Sequence, residues 1–145
     1  MKTQGGYLIS RIHQVGGRLF DKLLSEADID AFNGAQGRIL YVLWQEDGVS
    51  ISEIARRTGL ANTTLTSMLD RMVEAGLICR ETVPGDRRRQ RIALTEKSRA
   101  LKDDYERISK RMNDLYYMGF SEEEYAQLEG YLLRILSNLE GGNAP

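Results

Sequence analysis

The sequence predicts a mainly α-helical protein with one small β-hairpin wing. It divides into two lobes, residues 33–95 and residues 1–32 together with 96–145. Three observations predict this. Apolar residues recur at spacings of three and four along most of the chain, the period of amphipathic helices. Only "LICRETV" and "RQRIAL" read as strands, with the turn signal "PGDRR" between them. Positive charge gathers at that turn: from Arg80 to Arg91 five arginines stand against Glu81 and Asp86, although the chain has a formal net charge of −1.

Each element has its own signature. Residues 7–27 read as a helix with the stripe Leu8, Ile12, Val15, Leu19 and Leu23, widened by Ile9, Gly16, Phe20 and Leu24. Gly16-Gly17 weakens it by about 1 kcal/mol per glycine and suits close packing. Residues 35–46 form a second helix. Its "RILYVLWQ" run is apolar almost all round, so it lies buried, and Asp47-Gly48 ends it. In "SISEIARRTG", Ser50 and Glu53 fit a capping box, with hydroxyl and carboxylate serving each other's backbone amides. Gly59 can take positive φ and stop this short helix. "ANTTLTSMLDRMVEAGL" is the next helix, with Asn62 or Thr63 as its cap. Leu65, Met68, Leu69, Met72 and Val73 form its apolar face, while Thr63, Thr64, Thr66, Ser67 and Arg71 occupy the others. Gly76 sits where a helix-ending glycine belongs, and Leu77 is placed to fold back on Met72.

Beyond the hairpin, Thr95 can cap a long polar helix over residues 96–118, with apolar points that include Leu101, Tyr105, Ile108 and Met112. Ser121 and Glu124 make a second capping box, Phe120 and Tyr125 a hydrophobic staple, and the glutamates of that first turn suit the helix dipole. Tyr125, Leu128, Leu132, Ile135 and Leu139 then repeat as in a helix that packs lengthwise on another. "GGNAP" reads as a frayed tail.

Composition narrows the function. With 41% hydrophobic and 28% charged residues, a folded chain is expected rather than a disordered one. No apolar run approaches the ~18–20 residues that span a bilayer. "MKTQGGYLIS" lacks the apolar core and cleavage site of a secretory signal. One cysteine allows no internal disulfide, which fits a cytoplasmic location. There is no glycine-rich phosphate loop, no nucleophile elbow and no metal-ligand spacing. No catalytic residue, metal or cofactor is therefore expected, and an enzyme is a poor reading.

The order helix, short helix, glycine-containing turn, amphipathic helix and charged hairpin is that of a winged helix-turn-helix. Small hydroxyl side chains on the second helix let it settle in a major groove about 12 Å wide. Arginines on the hairpin suit the negative potential of a narrow minor groove. The sequence then resembles a known family. "ISEIARRTGLANTTLTSMLDRMVEAGLICRE" is similar to the helix-turn-helix and first wing strand of MarR-family transcriptional regulators. "GDRRRQRIALTEK" is similar to the family's wing, with its D-x-R element at Asp86 and Arg88 and the closing Leu94-Thr95. The flanks fit as well, so the resemblance spans nearly the whole chain.

The resemblance implies a homodimer whose first and last helices interlock in a helical dimerisation lobe, and a pseudo-palindromic duplex DNA operator. It implies Arg88 as the wing's minor-groove arginine, flanked by Arg87 and Arg89, and Asp86 as a residue that shapes the wing by pairing with arginines. It implies Thr63, Thr64, Thr66 and Ser67 facing the major groove, Asn62 opening the recognition helix, and Arg71 near phosphate. Where Ser67 stands, family members often carry a basic residue. The function implied is a repressor modulated by a small-molecule effector. The alternative is a winged-helix interaction module that binds protein or RNA instead of DNA.

Other residues carry two readings each. His13, Phe20, Tyr41 and Trp44 are candidates to line a pocket for a small aromatic effector, or they are helix-packing and surface residues. Cys79 is a redox sensor or a small strand hydrophobe. Tyr116 and Tyr117 point about 100° apart on one helix, so they cannot both face the core.

Overall fold

The fold is taken from a computed structural model, which describes residues 2–142. The last residues of the expected tail, 143–145, lie outside the described residues. The chain divides into two compact units, Met1–Ser109 and Lys110–Pro145.

The first unit opens with α1 (Gly5–Glu26) and α2 (Gly34–Gln45). A capping box that the sequence did not lead us to expect starts α2: Asn33 accepts from the Gln36 amide, and the Gln36 side chain accepts from the Asn33 amide. Next come the two-residue strand β1 (Val49–Ser50), α3 (Ile51–Thr58) and α4 (Asn62–Glu74). The hairpin strands β2 (Ile78–Val83) and β3 (Asp86–Leu94) follow. The sheet order is β1-β3-β2, all antiparallel. The hairpin thus gains a third, short strand, with Val49 opposite Ile92. Ile39, Leu40, Ile54, Leu65, Leu69, Met72 and Ile92 are all at 0% exposure, so α2, α3, α4 and β3 share one core.

Helix ends follow local chemistry. Gly59 (φ 73) ends α3 and Gly76 (φ 74) follows α4, both in the left-handed region glycine tolerates. At the end of α4 the Leu77 amide donates to Met72 O and the Gly76 amide to Val73 O, the paired bonds of a Schellman motif. Two expected caps differ. The Glu53 amide donates to Ser50 Oγ, but the Glu53 carboxylate turns away to Arg56 and Arg57, so the box is half made. The N-cap of α4 is Ala61, with no side-chain cap, and Asn62 is already helical.

The expected helix over 96–118 is broken. Thr95 caps a single turn, α5 (Glu96–Arg99), and α6 (Lys102–Tyr116) starts afresh. The Ser98 carbonyl accepts the Leu101 amide and the Trp44 indole N–H. That acceptor would otherwise continue the helical ladder. The boundary between the units falls within α6.

In the second unit, Ser121 and Glu124 form the expected capping box at the start of α7 (Glu122–Ser137). The staple is built differently. The Tyr117 ring meets both Phe120 (5.8 Å) and Tyr125 (5.2 Å), and burial with the Glu129 carboxylate nearby raises its pKa. Tyr116 points to solvent. No residue of α7 is buried, and the chain kinks after it at Gly141, which takes positive φ (104°).

Candidate nucleic-acid interface

The sequence of α4 alternates two kinds of side chain on a 3.6-residue period, and the fold sorts them. Leu65, Leu69 and Met72 lock one face into the core at 0% exposure. Asn62, Thr63, Thr64, Thr66, Ser67 and Arg71 are all exposed on the other faces. Within that set, Thr66 Oγ1 donates to the Asn62 carbonyl (2.8 Å), so its hydroxyl is left as an acceptor. Arg71 donates to Ser67 Oγ (3.1 Å), which stretches the guanidinium back along the helix. The surface therefore offers small polar groups toward the start of α4 and a cation toward its end.

The wing's shape comes from its register. Ile78 to Thr82 pair regularly with Leu94 to Gln90, and then Val83 pairs with Asp86 across the Pro84-Gly85 turn. The partner jumps from Gln90 to Asp86 over one step of β2, so Arg87, Arg88 and Arg89 bulge out of the ladder. The arginines expected in the turn therefore sit in the strand after it. All three are exposed, and among the described residues none makes an ion pair. Asp86 shapes the bulge, but not by pairing with a guanidinium. Its Oδ1 accepts the backbone amide of Arg88 (3.0 Å), an Asx-type turn within the bulge.

The other arginines near the wing are spoken for. Arg80 on β2 donates to Asp70 on α4 (2.5 Å), tying wing to helix, and Arg91 donates to Glu81 across the hairpin (3.2 Å). At the wing's root, Asp47 Oδ1 accepts the Leu94 and Gly48 amides, and Oδ2 pairs with Arg99. A second cationic group, Arg56 and Arg57 on α3, holds the Glu53 carboxyl well below the usual range, at about 2. Arg57 also pairs with Glu46. Beside the bulge lies an open cleft of about 620 Å³, lined by Ser50, Ser52, Val83, Arg88, Arg89 and Arg91 among others.

The effector candidates separate into a cluster and an outlier. Phe20 and Tyr41 each lie 5.8 Å, and Trp44 5.3 Å, from the ring of Tyr105, which Phe32 also meets. His13 is exposed on α1 and is not among these rings. The sequence places Tyr105 only on an apolar stripe of the expected 96–118 helix. The signal that could have marked it is Gly37, where an added Cβ would fall 2.9 Å from the Tyr105 ring. Burial raises the Tyr105 pKa. Cys79 is a half-buried free thiol on β2, opposite Ala93.

Comparison with known proteins matches this architecture. The model of the MarR family matches residues 32–89, from the start of α2 through the wing bulge. The transcriptional regulator PA3341 is 30% identical, with a TM-score of 0.78 over 93% of this chain and 97% of its own. A mutant MarR from E. coli, solved in complex with operator DNA, is 26% identical, with a TM-score of 0.79 over 90% of this chain and 92% of its own. BpsR of Bordetella bronchiseptica, whose DNA binding is regulated by 6-hydroxynicotinic acid, shares the fold at 23% identity, with a TM-score of 0.79 over 93% of this chain and 99% of its own. The exposed polar helix, the bulged wing and these matches place the chain in the MarR family of transcriptional regulators.

Proposed function

We propose that the protein is a dimeric, sequence-specific DNA-binding repressor of the cytoplasm, released from its operator by a small aromatic effector. The observation that carries the DNA reading is the pairing of two surfaces within one unit: the polar face of α4, and a bulge holding Arg87, Arg88 and Arg89 without carboxylate partners among the described residues. On this reading Asn62, Thr63, Thr64, Thr66 and Ser67 meet base edges in the major groove, Arg71 meets phosphate, and Arg88 enters the minor groove.

The dimer rests on uncovered apolar side chains. On α1, Tyr7, Leu8, Ile9, Ile12 and Val15 are exposed, and on α7 Tyr131, Leu132, Leu133 and Leu136 are exposed. Scattered exposed leucines are ordinary, but runs along two helices favour a second copy as cover. Residues 1–32 and 96–145 then make the dimerisation lobe and 33–95 the DNA-binding lobe. An effector bound near Phe20, Tyr41 and Trp44, with His13 as a further candidate, would act by preferring a dimer whose recognition helices miss the spacing of half-sites about 34 Å apart.

The test uses fluorescence anisotropy with a duplex from the DNA flanking the protein's own gene and a scrambled control. Tight, selective binding that Arg88→Ala weakens by about 1–3 kcal/mol supports the reading. Equal, weak, salt-independent binding to both duplexes overturns it and favours the interaction module. A dimer in sedimentation, and release of bound duplex by 6-hydroxynicotinic acid or a related aromatic acid, test the remaining parts.

A further inference from the structure

The single turn α5 lies between two regions that the proposed function uses separately. On one side, the Trp44 indole N–H donates to the Ser98 carbonyl (3.1 Å), while its ring lies 5.3 Å from Tyr105 in the aromatic cluster. On the other side, Thr95 Oγ1 donates to the Gly76 carbonyl (2.6 Å) and the Thr95 amide to the Leu77 carbonyl (3.4 Å). Lys97 adds a bond to the Ala75 carbonyl (3.0 Å). These carbonyls belong to the turn that closes α4. Thr95 and Ser98 are joined by a reciprocal capping box, and Ser98 Oγ also donates to Thr95 O. Ser98 is the one buried polar side chain among the described residues, at 0% exposure. An unbroken hydrogen-bonded path therefore runs from Trp44 through Ser98 and Thr95 to the end of α4.

We propose that Trp44, Ser98 and Thr95 form a coupling joint, in which the aromatic cluster around Tyr105 sets the position of the recognition helix α4 through the carbonyls of Ala75, Gly76 and Leu77 in the turn that follows it. None of the three belongs to the DNA-facing set, so they are positioning residues. The joint makes α4 sensitive to anything that moves the Trp44 ring. Its role in DNA reading rests on the proposed function, but the joint itself can be tested without DNA.

Trp44 is the only tryptophan in the chain, so its emission reports the joint directly. In the free protein, Trp44→Phe keeps an aromatic ring and removes the donor to Ser98. Amide exchange at Gly76 and Leu77 should then rise about fivefold, the change expected on removing one typical hydrogen bond. Thr95→Val should raise the same amides by a similar factor, and Thr95→Ser should restore them. With DNA, adding duplex to the native protein should change Trp44 emission. Thr95→Val should bind about fivefold more weakly with that emission change abolished, and Thr95→Ser should recover both.

The joint is overturned if Trp44→Phe leaves exchange at Gly76 and Leu77 unchanged, or if Trp44 emission responds to duplex equally in Thr95→Val. If the native protein binds no duplex, the DNA reading fails, while the exchange result still decides the joint. If Thr95→Val does not fold, Trp44→Phe alone decides it.

Discussion

At the root of the wing, Arg80 reaches Asp70 at 2.5 Å and Arg91 reaches Glu81 at 3.2 Å. At its far end, Arg87, Arg88 and Arg89 stand in a bulge with no carboxylate partner among the described residues. The side chain is the same and the separation along the chain is small, yet the roles differ. The root arginines have their charge answered by the fold: Arg80 ties the hairpin to α4, and Arg91 ties its two strands together. The bulge arginines leave a field that only a partner can answer. Arginine density along the sequence says that a region is basic. The strand register and its carboxylates say which of those charges is available.

The contrast predicts its largest effect in DNA binding. Arg88→Ala should weaken specific duplex binding by about 1–3 kcal/mol, roughly 5- to 150-fold. Arg91→Ala should leave binding within a few-fold of native and lower stability by up to about 1 kcal/mol, as for an exposed ion pair. Anisotropy titration and thermal unfolding of both variants check this, and equal weakening of binding in the two would erase the distinction between the two ends.

A smaller effect concerns what shapes the bulge. Asp86→Ala removes the acceptor for the Arg88 amide and should weaken duplex binding about fivefold with little change in melting. Asp86→Asn keeps a side-chain carbonyl for that amide and should bind nearly as the native protein does. If the Asn variant fails like the Ala variant, the charge of Asp86 matters more than its hydrogen bond.

Smaller still is the bridge between wing and helix. A double-mutant cycle on Arg80→Ala and Asp70→Ala, read by denaturant unfolding, should give a coupling of about 0.2–1 kcal/mol. The salt dependence of duplex binding should stay as in the native protein.

The least effect is expected on α3, at Glu53, whose carboxyl is held at about 2 by hydrogen bonds from Arg56 and Arg57. Because its pKa is depressed on folding, its stabilisation is fully present above the ordinary value of 4.5 and is lost as pH falls from there through about 2. Acid titration of the melting temperature in the native protein and in Glu53→Gln should show the two curves converging in that window.

Much of the fold was legible in the sequence because it is written locally. Gly59, Gly76 and the Ser121–Glu124 box mark helix ends through bonds between residues close in the chain. The apolar face of α4 follows from periodicity alone. The features that were not legible depend on distant partners. The break before α6 goes with an indole donor 54 residues away in sequence from Ser98. The strand β1 is two residues long, too short for any alternation, and exists because Ile92 and Arg91 lie opposite it. The candidate interface was readable in its residue types but not in its geometry. No local signal placed the three arginines in a bulge, gave Asp86 a backbone amide as its partner, or put Tyr105 at the centre of Phe20, Tyr41 and Trp44.

The most direct test is the salt dependence of duplex affinity, measured by anisotropy for the native protein and for a variant combining Arg87→Ala, Arg88→Ala and Arg89→Ala. The expected result is a steep log–log slope for the native protein, shallower in the variant by about 0.9 for each phosphate that is no longer neutralised. Identical slopes in the two proteins would contradict the assignment of these arginines to DNA.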